Sequence, residues 1–136
     1  VFRNCCDHGI ETKDVRLALD KKEKGTIVCS FEKKHNMLNI EIGDDGEGID
    51  IEILKSKLLD NKLITQNEIE SLSDEDIISY IFNSNYSSNE YVTDISGRGV
   101  GLYSVKTELD KVNGSIEIKT KKNIGTSFIF RLPLLF

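Results

Sequence analysis

The chain has 136 residues, 38% hydrophobic and 30% charged, with a formal net charge of −5. That composition fits one soluble domain long enough to bury a real core, and its acidity argues against a nucleic-acid surface. No apolar run approaches membrane-spanning length, so no direct membrane insertion is expected, and no signal peptide is visible.

The three cysteines are an odd number without zinc spacing, and they read as buried, reduced thiols of a cytoplasmic protein. Val1 to His8 reads as the end of a helix already under way, stopped by Gly9. Asn4 and His8 share one helical face, with Asp7 beside them, and taken alone they read as a solvated helix end. Glu11 to Asp20 is polar and reads as a short helix or loop. The lysine clusters at Lys21 to Lys24 and Lys119 to Lys122 read as solvated turns. Gly25 to Phe31 alternates Ile27, Cys29 and Phe31, and pairs in a hairpin with Met37 to Ile42 through Lys33-Lys34-His35-Asn36. His35 lies in that turn and is assigned no functional role.

The second strand runs into Gly43-Asp44-Asp45-Gly46-Glu47-Gly48-Ile49. A carboxylate at a strand end, followed by two glycines one residue apart, suits a flat ligand. The carboxylate accepts a hydrogen bond from an exocyclic amine, and the glycines reach positive φ and leave room for a ring. An acidic surface turn is the alternative. A calcium loop fits worse, because the acidic residues miss its ligand positions.

Asp50 to Asp60 places Ile51, Leu54 and Leu58 at helical spacing. Thr65 to Glu68 and Ser73 to Asp76 resemble capping boxes, the second opening a helix with Ile77, Ile78, Ile81 and Phe82 on its apolar side. Asn83 to Gly97 has no clear period and is rich in small polar residues, which predicts a mobile loop. Gly97-Arg98-Gly99-Val100-Gly101 leads into a helix with Leu102, Val105, Leu109 and Val112 on one face, ended by Asn113-Gly114. Glycines entering a helix leave backbone N–H groups and a positive dipole end for phosphates. The spacing is neither a Rossmann fingerprint nor a Walker A loop. Ser115 to Thr120 and Thr126 to Leu132 read as strands, with Gly125 between them and Pro133 at the end. Strands and helices come in blocks, which predicts one α+β domain with a mixed or antiparallel sheet covered by helices on one face.

In combination and order these motifs resemble the ATP-binding catalytic domain of the CheA family of chemotaxis histidine kinases. Arg3 to Glu11 resembles the N box, Asp44 to Ile49 the first glycine box, Thr93 to Leu102 the second, and Gly125-Thr126-Ser127-Phe128 through Leu134 the end of the domain. The wider group is the GHKL ATPases, so the fold implied is a Bergerat-type, two-layer α/β sandwich with a mixed, mostly antiparallel sheet. The resemblance implies that Asp44 accepts the adenine amine, Gly46 and Gly48 shape its pocket, and Thr126 supports it. It implies Asn4 as the Mg²⁺ ligand, His8 near the phosphates, and Gly97, Gly99 and Gly101 presenting N–H groups to them. Asp7, Ile49, Ser87, Ser96, Arg98, Val100 and Leu102 also fall in the implied nucleotide site.

By the same resemblance, ATP with Mg²⁺ donates its γ-phosphoryl to a histidine on a separate phosphotransfer domain. CheW-like adaptor, receptor and response regulator are the implied partners of the whole protein. The family's usual catalytic histidine would fall just before Val1, and the first strand and the start of the N-box helix are missing from residues 1–136. This fragment by itself is therefore expected to be inactive. The family's Phe-x-Pro-Gly-Phe-Ser stands here as Phe82-Asn83-Ser84-Asn85-Tyr86-Ser87, and Asn83 to Gly97 holds no lysine for a γ-phosphate. A GHKL ATPase of another signalling system, or a nucleotide-binding module without phosphotransfer, are the alternatives.

Overall fold

The computed structural model describes residues 1–83 and 101–134. They form two compact units, one comprising Val1–Ile49 with Val112–Phe136, the other Asp50–Lys111.

The first unit is built on a four-stranded sheet. Its strands are β1 (Ile27–Lys34), β2 (Met37–Asp44), β3 (Ser115–Lys121) and β4 (Gly125–Pro133), in the order β1-β2-β4-β3. Two hairpins, β1-β2 and β3-β4, join because β4 lies antiparallel to β2. Of the mixed or antiparallel sheet expected, the antiparallel form is found: every pairing among the described residues is antiparallel. The β1-β2 turn is tight, and His35 takes a left-handed φ of 56° in it.

The alternating pattern sets one apolar face. Ile42 lies opposite Phe128, which lies opposite Ile118, and Phe130 sits two residues along; all four are buried. Each contributes about 1.5–3 kcal/mol on burial. The apolar face loses cover toward the edge strand β1, where Phe31 is 68% exposed. Cys29 on the same strand is exposed, as is Cys6, so of three thiols expected to be buried only Cys5 is. Alternation marks the face of a strand; it does not say that an edge strand's share of that face is covered.

Before the sheet, a helical turn α1 (Phe2–Asn4) widens into a π-helical turn, Cys5–Gly9. The amide of Ile10 bonds to the Cys5 carbonyl at 2.9 Å, a five-residue step. The turn packs against β2 and β4. The following helix α2 (Lys13–Ala18) has inverted polarity: Arg16 is 1% exposed, while Val15 and Leu17 face solvent.

The second unit holds α3 (Ile51–Asp60), α4 (Gln66–Ser71), α5 (Asp74–Ser79) and α6 (Leu102–Lys111). Asp50 caps α3, accepting from the amides of Glu52 and Ile53. Both predicted capping boxes form, Thr65 with Glu68 and Ser73 with Asp76. Leu54 and Leu58 of α3 and Ile77 and Ile78 of α5 are buried, and the two helices pack together. Ile81 and Phe82, expected on the same helix as Ile77, fall instead in a 3₁₀ turn, Tyr80–Phe82, which packs against α6. The expected mobile loop lies outside the described residues apart from Asn83.

Candidate functional site

Three segments far apart in sequence converge at the end of β2. Asp44, the strand's last residue, is half-buried. Its Oδ1 accepts a hydrogen bond from the Gly46 amide at 3.0 Å and from the Thr126 amide at 3.3 Å. An ionised carboxylate offers about four acceptor positions, so two such bonds orient Asp44 and leave it capacity for a further donor. Thr126 is buried, and its hydroxyl lies 3.0 Å from that of Thr120. The Thr120 hydroxyl in turn accepts from the Ile49 amide at 2.8 Å.

The glycines have a specific cause here. A side chain on Gly46 would run into the carbonyl of Gly9, and one on Gly48 into the carbonyl of Lys121, where φ is already +69°. The Glu47 amide donates to the Gly9 carbonyl at 2.7 Å, and the Asn123 amide donates to the Glu47 carbonyl at 2.6 Å. The loop after β2 is therefore laced by backbone contacts to the π-helical turn on one side and to the β3-β4 turn on the other. Gly9 itself approaches Asp44 so closely that an added Cβ would sit 3.0 Å from Oδ2. Cys5, 1% exposed, is hydrogen-bonded to the same carboxylate. Burial first, and the neighbouring Asp44 second, push its thiol up to about 12, so at neutral pH it is a protonated, unreactive group.

A second layer of charge holds this loop from behind, and sequence reasoning missed it. The Arg16 guanidinium donates to Glu11 Oε2 at 2.9 Å, to Asp45 Oδ2 at 2.9 Å, to the Asp45 carbonyl at 3.2 Å and to the Lys22 carbonyl at 2.7 Å. Lys21 pairs with Glu11 and donates to the Asp45 carbonyl at 3.0 Å and the Gly46 carbonyl at 2.6 Å. Lys21 is thus not a solvated residue of a lysine cluster, as its neighbours Lys22 and Lys24 are; its side chain is only 14% exposed. Burial alone would raise the Glu11 carboxyl, but hydrogen bonds from Lys21, from its own backbone and from Arg16 hold it below the ordinary range. For Asp45, too, burial pushes upward and is outweighed by the Thr26 amide and Arg16.

Asp44, Gly46, Gly48, Ile49 and Thr126 are therefore brought together, in the first unit. Asp7 and His8 lie exposed on the π-helical turn, Asp7 paired with Arg3 at 3.5 Å. Gly101 and Leu102 stand at the start of α6 in the second unit. Ser87, Ser96, Gly97, Arg98, Gly99 and Val100, and the side chain of Asn4, lie outside the described residues. Among the described residues no three His, Cys, Asp or Glu side chains are placed to hold a metal together, and no helix is long and apolar enough to cross a membrane.

Residues 1–135 match the family model described as histidine kinase-, DNA gyrase B- and HSP90-like ATPase. The chain belongs to that family. Membership implies an ATP-binding domain. The chain is 39% identical over 134 residues to the sensor histidine kinase CheAY of Helicobacter pylori, a match covering 98% of this chain and 17% of that protein. It is 41% identical over 132 residues to the chemotaxis protein CheA of Borreliella burgdorferi, covering 97% of this chain and 15% of that one. The chain thus spans about one-sixth of the length of these relatives. The resemblance to CheA read from the motifs holds over nearly all of this ATPase-family chain. Among solved structures, the catalytic domain of histidine kinase ThkA aligns with a TM-score of 0.49 and 21% identity, over 96% of this chain and 61% of that one.

Proposed function

We propose that this chain is the ATP-binding catalytic domain of a CheA-like histidine kinase, which binds ATP with Mg²⁺ for phosphoryl transfer to a histidine on a separate phosphotransfer domain. The observation that carries the reading is Asp44. It is an acceptor-only group at a strand end, fixed through Oδ1 by two backbone amides and backed by a glycine loop. That arrangement selects a base with an exocyclic amine over one with a carbonyl at the same position, which would lose a hydrogen bond and meet repulsion.

In this reading Gly97, Gly99 and Gly101 present backbone N–H groups to the nucleotide's phosphates, and His8 is a further phosphate contact. Asn4 would hold Mg²⁺ through its amide oxygen, together with the phosphates, as suits a hard cation. When bound, the ion neutralises charge on the transferring phosphoryl group, while the protein's own part is positioning. The adaptor, receptor and response regulator belong to the whole protein, and the compartment is the cytoplasm.

A calorimetric titration tests the base assignment. A charge-assisted hydrogen bond contributes about 1.5–3 kcal/mol, or roughly ten- to a hundred-fold in affinity. ATP should bind better than GTP by about that factor, and Asp44→Ala should remove the difference. Equal affinities for ATP and GTP in the unaltered chain would overturn the assignment. ATP-dependent labelling of a phosphotransfer domain by the full-length protein tests the kinase step; nucleotide binding without labelling would leave a binding module.

A further inference from the structure

We propose that Lys21 is a positioning residue for Asp44, setting the preference of the site for an amine-bearing purine. The inference deepens the reading of Asp44 as base acceptor and rests on it.

The argument follows one peptide bond. The Asp45–Gly46 peptide points its N–H at the Asp44 carboxylate, 3.0 Å from Oδ1. The carbonyl of that same peptide is held by Lys21 Nζ at 3.0 Å and by Arg16 at 3.2 Å. A trans peptide is planar, with its N–H and C=O pointing opposite ways, so fixing the oxygen fixes the direction of the N–H. Lys21 therefore grips the back of the group whose front orients the acceptor. A cation on the oxygen also polarises the amide and strengthens its donation. Lys21 holds the next peptide too, through the Gly46 carbonyl at 2.6 Å. Its third donor goes to Glu11, whose side chain is 4% exposed. An ammonium has three donors, and here each has an acceptor. Two of the three are main-chain oxygens of the candidate base loop, which a lysine serving only to neutralise Glu11 would not require.

Arg16 shares the Asp45 carbonyl but spends its remaining donors on Glu11, the Asp45 carboxylate and the Lys22 carbonyl. Its role is to hold the segments together. Lys21 holds two successive peptides of this loop, Asp45–Gly46 and Gly46–Glu47.

The test compares ADP with inosine diphosphate, which carries a carbonyl oxygen in place of the amine. In the unaltered chain the ratio of affinities should favour ADP. Lys21→Met should lower that ratio about three- to ten-fold by weakening ADP, as expected when part of one charge-assisted hydrogen bond is lost. Inosine diphosphate should change less than two-fold. In an Asp44→Ala background, Lys21→Met should leave the ratio where Asp44→Ala put it. If ADP and inosine diphosphate weaken equally, Lys21 serves the fold alone and the proposal falls; it falls equally if neither moves. If Lys21→Met does not fold, Lys21→Gln, which is polar but uncharged and one atom shorter, is read by the same ratio. Failure of both to fold would also overturn the positioning role. If the unaltered chain does not discriminate between the two nucleotides, the error lies in the base assignment to Asp44.

Discussion

Arg16→Met should be the costliest single substitution outside the base loop. Arg16 is 1% exposed and its partner Glu11 4%. Removing one member of a buried ion pair costs roughly 3–5 kcal/mol, because the other charge remains buried without it. Three details place this case at the lower end. Glu11 keeps Lys21 as a partner, and the Asp45 carbonyl does too. The Asp45 side chain is 41% exposed, so water replaces much of what it loses. Against this, the Lys22 carbonyl loses the donor that Arg16 gave it. The expected loss is about 3 kcal/mol. An unfolding entropy of about 2.1 cal/mol/K per residue gives roughly 0.3 kcal/mol/K for 136 residues, so Tm should fall by about 10 °C. Arg16→Lys keeps the charge but cannot reproduce the fork that reaches four acceptors, and should lose about half as much. Calorimetric or dichroism melts at neutral pH measure both. A drop of less than about 3 °C for Arg16→Met would refute the claim that the network holds the fold.

Two further outcomes follow from the same region. Glu11 and Asp45 are held below their ordinary values of 4.5 and 3.8, so their contribution is complete above those values and is lost as pH falls through the lower folded ones. The urea midpoint should therefore decline below about pH 4.5, and less steeply in Glu11→Gln; identical acid limbs would refute this. A thiol reagent should label Cys6 and Cys29 in the native protein and reach Cys5 only on unfolding, since Cys5 is the one buried. Mass spectrometry would count two fast sites, and three would show the π-helical turn to be open.

What the sequence made legible was whatever is local. Period-two alternation placed the four strands of the described residues, and the Thr65–Glu68 and Ser73–Asp76 pairs placed two helix starts. Asp44 and its glycines were found because their spacing is compact. The clamp behind them was not, because its members, Glu11, Arg16, Lys21 and Asp45, are scattered. Lys21 in a run of lysines gives no local sign of acceptors 24 and 25 residues away. Arg16 offered one signal: an arginine flanked by Val15 and Leu17, whose apolar neighbours turn outward so that the arginine can turn in. The positive φ expected of the glycines is met at Gly48, while the close approach of the Gly9 and Lys121 carbonyls to Gly46 and Gly48 gave no sign in the sequence.

The bond from the Thr126 amide to Asp44 spans 82 residues. β4 occupies the place between β2 and β3, so the strand made last completes the middle of the sheet. During synthesis the β1-β2 hairpin can close early, from neighbours in sequence, while Asp44 still lacks one of its two backbone donors. Loop-closure entropy makes such long-range pairing the slow step of folding. Asp44, the proposed base acceptor, thus gains both backbone donors only once the start of β4 has been made. A nascent chain released short of β4 would carry the strand, the carboxylate and the glycines, and still lack the Thr126 amide that orients Asp44. On the proposed reading, nucleotide binding would report that translation has passed β4.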